Sequence, residues 1–353
     1  MRVLITGNMG YVGPVVVSHL RERFPAAELI GFDSGWFADC LSTPGPVPET
    51  RLNAQHFGDV RDIDASLLAG VDAVVHLAAV SNDPIGDRFE AATDAINRGA
   101  SLHLAGCAAT TGVRSFVFAS SCSVYGAAGQ GARREGDAVN PLTAYARSKI
   151  ATEDGLRQMD LGGMAVSCLR FATACGMSDR LRLDLVLNDF VACALSSGSI
   201  TVLSDGTPWR PLIDVRDMAR AIEWAVTRSQ DAGGRALTAN IGSDERNHQV
   251  RDLAGAVAAA LPGTTVSINT SAVSDARSYR VDFSMFRELA PAHQPQVALA
   301  GSIEALASGL RAVGFGDDAF RKSDRMIRLN RLGALLDGGW LGPDLRWQAK
   351  APP

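Results

Sequence analysis

Tyr145 and Lys149 are four residues apart in this 353-residue sequence, and together they could move a proton. Residues at this spacing share one face of a helix. A phenol is a poor base because its ordinary pKa is about 10, but a nearby ammonium group favours the phenolate and lowers that pKa. The pair predicts a tyrosine acting as a general base or acid, with an ordinary exposed helix face as the alternative.

Hydroxyl groups follow the apolar run Ser115–Ala119, in a segment that reads SSCSVYG from Ser120 onward. Such a run is typical of a buried strand, and open α/β sheets bind ligands at the carboxyl ends of their strands. A hydroxyl at this edge, such as that of Ser121, could contact both a substrate oxygen and the phenol of Tyr145. These groups together indicate hydride transfer, with the tyrosine exchanging the proton and a nicotinamide dinucleotide exchanging the hydride.

Three glycines, Gly7, Gly10 and Gly13, lie between the first apolar run and a helical segment. Gly7 permits a tight turn, Gly10 lets the backbone approach a pyrophosphate, and Gly13 lets the helix pack closely on the strand. The helix N-terminus offers free N–H groups and a partial positive charge to the anion. The turn predicts a dinucleotide site, with a plain glycine-rich bend as the alternative. The expected contacts include the residues between the glycines, Asn8, Met9, Tyr11 and Val12.

Acidic residues follow two more of the predicted strands. Asp33 could accept hydrogen bonds from the adenosine ribose hydroxyls and would repel a 2′-phosphate, which favours NAD over NADP. Asp59 could accept from the adenine amino group, although an acid that caps a helix N-terminus is the alternative. The other expected cofactor contacts are Val60, Leu77, Ala78, Ala79, Ser120, Tyr145 and Lys149. Lys149 could hold the ribose hydroxyls of the cofactor.

Apolar runs alternate with helical patterns through the first half of the chain, which predicts a doubly wound parallel sheet. We expect residues 1–176 to form the dinucleotide-binding domain, with 208–245 returning to it. We expect 177–353 to form mainly a smaller α/β substrate-binding domain with a C-terminal tail. The predicted strands are Val3–Thr6, Leu29–Phe32, Ala73–Leu77, Ser115–Ala119 and Met164–Leu169, and the helical patterns cover 12–23, 88–111 and 142–160.

The composition excludes several classes of protein. The net charge is −4 and 20% of residues are charged, without a basic stripe that would indicate nucleic acid binding. No apolar run reaches the roughly 18 residues of a membrane helix. The six cysteines are not spaced as metal ligands, so we expect reduced, mostly buried thiols and no metal site. A soluble cytoplasmic protein is the default expectation.

The ordered motifs GNMGYVG, GDVRD, HLAA, SSCSVYG and YARSK, together with Asp33, resemble the extended short-chain dehydrogenase/reductases, specifically the NAD-dependent nucleotide-sugar epimerase/dehydratase family. The likeness continues through GTPWRPLIDVRD and DARSYRVD and covers about residues 1–315. The resemblance implies a Rossmann-type fold. It also implies that Ser121, Tyr145 and Lys149 are the catalytic residues.

The resemblance also implies a nucleotide-diphosphate sugar as substrate. Arg210 and Arg277 match the arginines that grip the diphosphate, although surface salt bridges are the alternative. Thr173 stands where the family often has Asn. Arg180 could meet a carboxylate or phosphate, or equally solvent. The expected substrate contacts are Ser81, Ser121, Cys122, Ser123, Thr173, Arg180, Arg210 and Arg277.

Two residues depart from the pattern of the sugar 4,6-dehydratases, which carry an acidic pair just after the catalytic hydroxyl. Here those positions are Cys122 and Ser123, and neither is a carboxylic acid. Decarboxylating members keep a Glu at the second position, so both chemistries are disfavoured. Cys122 remains a weak candidate for additional acid/base work.

These observations predict an NAD-dependent nucleotide-sugar epimerase acting at C4 through a transient 4-keto intermediate. The alternative is a nucleotide-sugar 4-ketoreductase or dehydrogenase with the same residues. A 4,6-dehydratase and a non-catalytic NAD-sensing protein are weaker alternatives. The resemblance also implies a homodimer, formed by the helices over 88–111 and 142–160.

Overall fold

The computed structural model describes residues 1–81, 85, 88–272 and 278–349. Seven parallel strands form the central sheet: β1 (Arg2–Thr6), β2 (Glu28–Asp33), β3 (Ala54–Phe57), β4 (Ala73–His76), β5 (Ser115–Ser121), β7 (Ala165–Phe171) and β11 (Ala236–Ile241). Their order across the sheet is β3-β2-β1-β4-β5-β7-β11. The strand order reverses between β1 and β4, which confirms the predicted doubly wound, Rossmann-type sheet.

Helices cover both faces of this sheet. They are α1 (Gly13–Arg23), α2 (Glu90–Asp94), α3 (Ser101–Thr110), α4 (Ala144–Gln158) and α6 (Val215–Thr227). Strand side chains alternate between the faces: Val3 and Ile5 of β1 pack in the core cluster with α1 and α6, while Leu4 packs in the cluster with α3 and α4. The predicted helix over 88–111 is interrupted by a π-helical turn, Ala95–Ala100, between α2 and α3.

Smaller sheets lie outside the central one. β8 (Thr173–Cys175), β10 (Trp209–Asp214) and β12 (Asn247–Gln249) form one, β9 (Ser199–Val202) pairs with β13 (Thr265–Ile268), and β6 (Ala127–Arg133) pairs with β14 (Ser278–Val281). The helices of this half are α5 (Val186–Ser196), α7 (Val250–Ala260), α8 (Ser284–Leu289) and α9 (Leu299–Ala312). Of the expected returning segment, β11 lies in the central sheet, whereas the division into two domains stays a prediction.

The C-terminal tail packs back onto the first half of the chain. It contains a short 3-10 turn, Phe320–Lys322, and then α10 (Arg328–Asp337). Beyond α10, Leu341 and Leu345 are buried in the same core cluster as Trp36. Arg346 forms an ion pair with Asp62, and the Trp347 indole donates to the carbonyl of Ser34 at 2.6 Å. Among the described residues, no helix has the length and apolar character needed to cross a membrane.

Candidate active site

One large cavity of about 830 Å³ lies at the carboxyl ends of β1, β2, β4 and β5. Its volume is in the upper part of the range for small-molecule and cofactor sites. The predicted site residues on its wall are Gly7, Gly10, Tyr11, Val12, Gly13, Asp33, Asp59, Val60, Leu77, Ala78, Ala79, Ser81, Ser120, Ser121, Ser123, Tyr145, Lys149, Thr173 and Arg210. Four others lie off the wall, namely Asn8, Met9, Cys122 and Arg180. Arg277 lies outside the described residues.

The glycine turn leaves room for a ligand against the backbone. Gly7 has φ +74°, and a Cβ there would lie 2.5 Å from the backbone nitrogen of Ala78. A Cβ on Gly13 would lie 2.2 Å from the carbonyl oxygen of Asn8. The α1 N-terminus has neither a side-chain cap nor an acidic residue in its first turn, so its N–H groups are available to an anion. The turn fits the pyrophosphate of a dinucleotide.

Asp33 is held in place by the turn next to it. Its carboxylate accepts from the backbone N–H of Met9 at 3.0 Å and of Gly35 at 2.8 Å. Burial raises its pKa, and the two backbone hydrogen bonds oppose that rise. Asn8 instead donates its side-chain amide to Gln55 at 2.6 Å. Met9 and Asn8 therefore shape the turn from behind the wall.

Asp59 is engaged by its own chain. Its side chain accepts from the backbone N–H of Arg61 at 2.9 Å and from the Arg61 Nε at 2.8 Å. It caps the short 3-10 turn Val60–Asp62, which is the alternative that the sequence left open. Asp59 nevertheless remains on the cavity wall beside Val60.

The helix α4 presents Tyr145 and Lys149 to the cavity. It begins after Thr143, whose hydroxyl accepts from the N–H of Ala146 at 3.2 Å. Lys149 is only 3% exposed, and its Nζ lies 5.4 Å from the centre of the Tyr145 ring. The same Nζ donates to the carbonyl of Ala119 at 2.7 Å. Burial lowers the pKa of Lys149 to about 7, so the amine exchanges its proton near neutral pH.

Buried polar side chains fix α4 against the sheet. The Asn97 amide, in the π-helical turn, donates to the Val80 carbonyl at 3.0 Å and to the Ser148 hydroxyl at 3.0 Å. Such turns often mark functional sites. His76 is hydrogen-bonded to Thr6 and Ser101. Burial lowers the pKa of His76 to about 3, so the ring stays neutral and serves a structural role.

The serines that follow the apolar run of β5 line the cavity, but their hydroxyl groups have different hydrogen-bond partners. Ser121 Oγ accepts from the N–H of Ser123 at 3.1 Å. The buried Oγ of Ser123 has no hydrogen-bond partner among the described residues, so it can bind a ligand group. Ser120 donates its hydroxyl to Glu153, behind the wall.

Cys122 lies in the interior of the protein. It is fully buried, and its Sγ donates to the carbonyl of Arg170 at 3.0 Å. Burial raises the pKa of the thiol far above its ordinary value. A thiol in this position stays protonated and does not face the cavity.

Arg210 and Arg182 also line the cavity. Arg210 donates to the carbonyl of Trp209 at 2.9 Å. Arg182 forms an ion pair with Asp184 at 2.9 Å and donates to the Ser81 hydroxyl at 3.1 Å. Arg180, in contrast, is off the wall: it is 1% exposed and paired with Glu49.

Three residues of this site were missed in the sequence. Glu153 follows Lys149 by four residues, so the helical spacing that joins Tyr145 to Lys149 could have revealed it. Arg182 stands in a loop without periodicity. Arg328 reaches the cavity from α10, and no motif connects it with the rest of the site.

Comparisons with known proteins give the family. Residues 3–242 match the model of the NAD dependent epimerase/dehydratase family. An uncharacterized UDP-glucose epimerase of Bacillus subtilis is 28% identical over 257 residues, which cover 70% of this chain and 78% of that protein. A UDP-glucose 4-epimerase of Mycolicibacterium smegmatis is 28% identical over 317 residues, covering 86% and 96%.

The fold is also that of a known structure. MoeE5, solved in complex with UDP-glucuronic acid and NAD, superposes with a TM-score of 0.74 at 24% identity, covering 88% of this chain and 99% of that one. The family model and the glycine turn agree on the cofactor. The chain therefore belongs to the NAD dependent epimerase/dehydratase family, and its cofactor is NAD.

Proposed function

We propose that this protein is a nucleotide-sugar 4-epimerase that works through a transient 4-keto intermediate. One observation carries the proposal: Tyr145, Lys149 and Ser121 lie on the wall of the same cavity as the glycine turn. That arrangement supports an oxidation at a sugar carbinol carbon next to the bound dinucleotide. NAD held at the glycine turn would supply the acceptor, and then the donor, of the hydride at C4 of the sugar.

The chain supplies proton transfer and orientation. Tyr145 takes the proton of the 4-hydroxyl as the hydride leaves, and returns it when the ketone is reduced. The ammonium form of Lys149, close to the Tyr145 ring, favours the phenolate. Ser121 binds the same substrate oxygen. The unpartnered hydroxyl of Ser123 contacts the sugar beside it.

The hydroxyl run supports epimerisation over dehydration. A 4,6-dehydratase needs acids that protonate a leaving hydroxyl and remove a C5 proton. The turn Cys122–Tyr125 carries no carboxylate, and Cys122 is buried with a raised pKa. Oxidation and return of the hydride at C4 need only the tyrosine, lysine and serine.

The test uses UDP-glucose with deuterium at C4, incubated with the purified protein and no added dinucleotide. We expect UDP-galactose that keeps deuterium at C4, because the same hydride is returned. Tyr145→Phe should slow this conversion by about 100-fold or more. If neither UDP-glucose nor UDP-glucuronic acid is epimerised, the proposal is wrong for both of these substrates.

A ketoreductase or dehydrogenase is the second candidate, because its elementary step uses the same three residues. Denaturing the purified protein and identifying the released dinucleotide separates the two. About one NAD per chain supports the epimerase, since its cofactor is regenerated in each turnover. A protein that is purified without bound dinucleotide and consumes added NADH stoichiometrically supports the reductase.

We also propose a homodimer formed by the helices within 88–111 and 142–160. Two helices of each subunit packing together would give a four-helix interface. Light scattering on the eluting protein should give twice the mass of the 353-residue chain, 37.2 kDa. A mass of one chain at micromolar concentration would exclude it. The cytoplasmic location stays a prediction.

A further inference from the structure

Arg328, the first residue of α10, places a buried positive charge on the cavity wall. Its side chain is 3% exposed, and the residue lines the cavity together with Leu332 of the same helix. Both residues belong to the C-terminal tail, outside the 3–242 segment that matches the family model. The feature therefore lies outside the segment that the family model describes.

No described residue gives Arg328 a carboxylate partner. Its Nη2 donates to the carbonyl of Arg180 at 2.9 Å and its Nη1 to that of Arg325 at 3.4 Å. The guanidinium lies 4.5 Å from the centre of the Phe37 ring. Carbonyls and an aromatic face orient the group, but they leave its charge uncompensated.

The neighbouring charges do not cancel it. Glu49 forms an ion pair with Arg180, and Asp184 forms one with Arg182. Asp184 attracts Arg328 electrostatically, but neither carboxylate forms an ion pair with it. The thiol of Cys40, also nearby, has a pKa raised by burial and stays neutral. Burial lowers the pKa of Arg328 to about 10, which still leaves the guanidinium protonated at neutral pH.

A buried ion without a counter-ion destabilises the protein unless something pairs with it. A ligand anion within the cavity supplies such a partner. Arg182 strengthens the site, because it is 7% exposed, lines the same cavity, and acts electrostatically on Tyr145 and on Arg328. The two guanidinium groups offer fork-shaped donors, which match phosphate and carboxylate oxygens.

We propose that Arg328 and Arg182 form an anion subsite inside the cavity, which binds phosphate or carboxylate oxygens of a bound ligand. Three groups carry these oxygens: the pyrophosphate of NAD, the diphosphate of the sugar nucleotide, and a carboxylate on the sugar. The subsite goes beyond the proposed epimerisation, because it concerns binding and would equally serve a reductase.

The experiment removes the charge with Arg328→Met and measures binding rather than turnover. Three quantities are compared with the unaltered protein: the NAD released per chain on denaturation, the Kd of UDP-glucose, and the Kd of UDP-glucuronic acid. We expect at least one Kd to rise about tenfold or more, or the NAD content to fall below half. Arg325→Met is the matched control, since Arg325 is exposed nearby on the same tail.

The pattern of losses identifies the source of the anion. Loss of NAD alone assigns the cofactor pyrophosphate. Equal weakening of both UDP-sugars assigns the substrate diphosphate, and weakening of UDP-glucuronic acid alone assigns a sugar carboxylate. If all three quantities stay within twofold of the unaltered protein, the subsite does not exist.

A second variant keeps the test decisive if Arg328→Met does not fold. Arg328→Lys keeps the charge but loses the planar fork. It should fold and show a smaller loss in the same quantity that Arg328→Met affects. A folded Arg328→Lys that binds NAD and both UDP-sugars as the unaltered protein does would overturn the proposal. Because only binding is measured, a failed epimerase assay leaves this result unaffected.

Discussion

Burial sets the protonation state of several side chains in and around this cavity. The same apolar surroundings hold the pKa of Lys149 near 7, keep His76 neutral, and keep the thiol of Cys122 protonated. For an amine the buried state disfavours the charge, whereas for a thiol it disfavours the thiolate. Of these three groups, Lys149 is the one whose charge changes near neutral pH.

Lys149 should make the stability of the cofactor-free protein depend on pH. Between pH 7 and pH 9 the unfolded chain keeps this lysine protonated, while the folded chain has released the proton. The free energy of unfolding should therefore rise with pH over this range, by about 2 kcal/mol. Urea unfolding of the unaltered protein and of Lys149→Met at both pH values checks this. Equal pH dependence in the two proteins would contradict it.

Cys122 should be dispensable for catalysis. Because the thiol is buried and bonded to the Arg170 carbonyl, Cys122→Ala should retain a catalytic efficiency within about threefold of the unaltered protein. The lost packing and hydrogen bond should lower the free energy of unfolding by about 1–2 kcal/mol. Removing a general acid or base lowers catalytic efficiency by about 100-fold or more. A fall of that size in Cys122→Ala would show that Cys122 takes part in catalysis.

Among the elements, the turn between β1 and α1 leaves no room for a side chain at Gly7 and Gly13. A methyl group on Gly13 would meet backbone atoms of Asn8, whereas one on Gly10 would meet only the Gly7 carbonyl at 3.2 Å. Gly13 is therefore required by packing within the fold, whereas we expect Gly10 to be required by the approach of the ligand.

The two alanine variants should fail in different ways. Gly13→Ala should lower the free energy of unfolding by about 2–3 kcal/mol or more, because the start of α1 must move away from the backbone of Asn8 in the turn. Gly10→Ala should keep a melting temperature within a few degrees, yet lose NAD because its methyl group occupies the approach of the pyrophosphate. Calorimetry and the dinucleotide content of both variants test this. A Gly10→Ala variant with full NAD content would refute the assignment.

Spacing and periodicity predict the elements that carry the site, but not all side-chain partners. The continuous apolar runs predicted β1, β4 and β5, and the 145–149 spacing predicted the helix that holds the tyrosine. Asp59 is an example. The motif predicted a contact with the adenine, but it did not predict that the Asp59 carboxylate accepts from the side chain of Arg61. The π-helical turn at 95–100 was missed because its residues have ordinary helical periodicity.

At the level of the whole molecule, the C-terminal tail contributes part of the cavity wall through Arg328 and Leu332. The sequence predicted one helix after Asp317, but nothing in its pattern indicated where that helix packs. The position depends on contacts between residues nearly 300 apart, such as the 2.7 Å hydrogen bond between Arg331 and Asp39, which are 292 residues apart. Long-range pairings of this kind have no local signature in a single sequence.

Alanine variants of two leucines in α10 can distinguish an effect on stability from an effect on cofactor binding. Leu332 and Leu335 are 1% and 6% exposed, but only Leu332 lines the cavity. Each alanine variant should lose about 2–4 kcal/mol of unfolding free energy. Only Leu332→Ala should also lower the NAD content, because it removes part of the wall. Equal NAD content in the two variants would show that α10 merely packs against the fold.

The place of Arg328 and Leu332 on the cavity wall also bears on synthesis. A ribosome that has completed the seven-stranded sheet still holds a chain whose pocket lacks one side, because these residues follow Gly7 by more than 300 positions. If α10 contributes to NAD binding as proposed, we expect full retention of NAD only after α10 has left the exit tunnel. Products of interrupted translation would carry the glycine turn and the tyrosine, yet be released without the nucleotide.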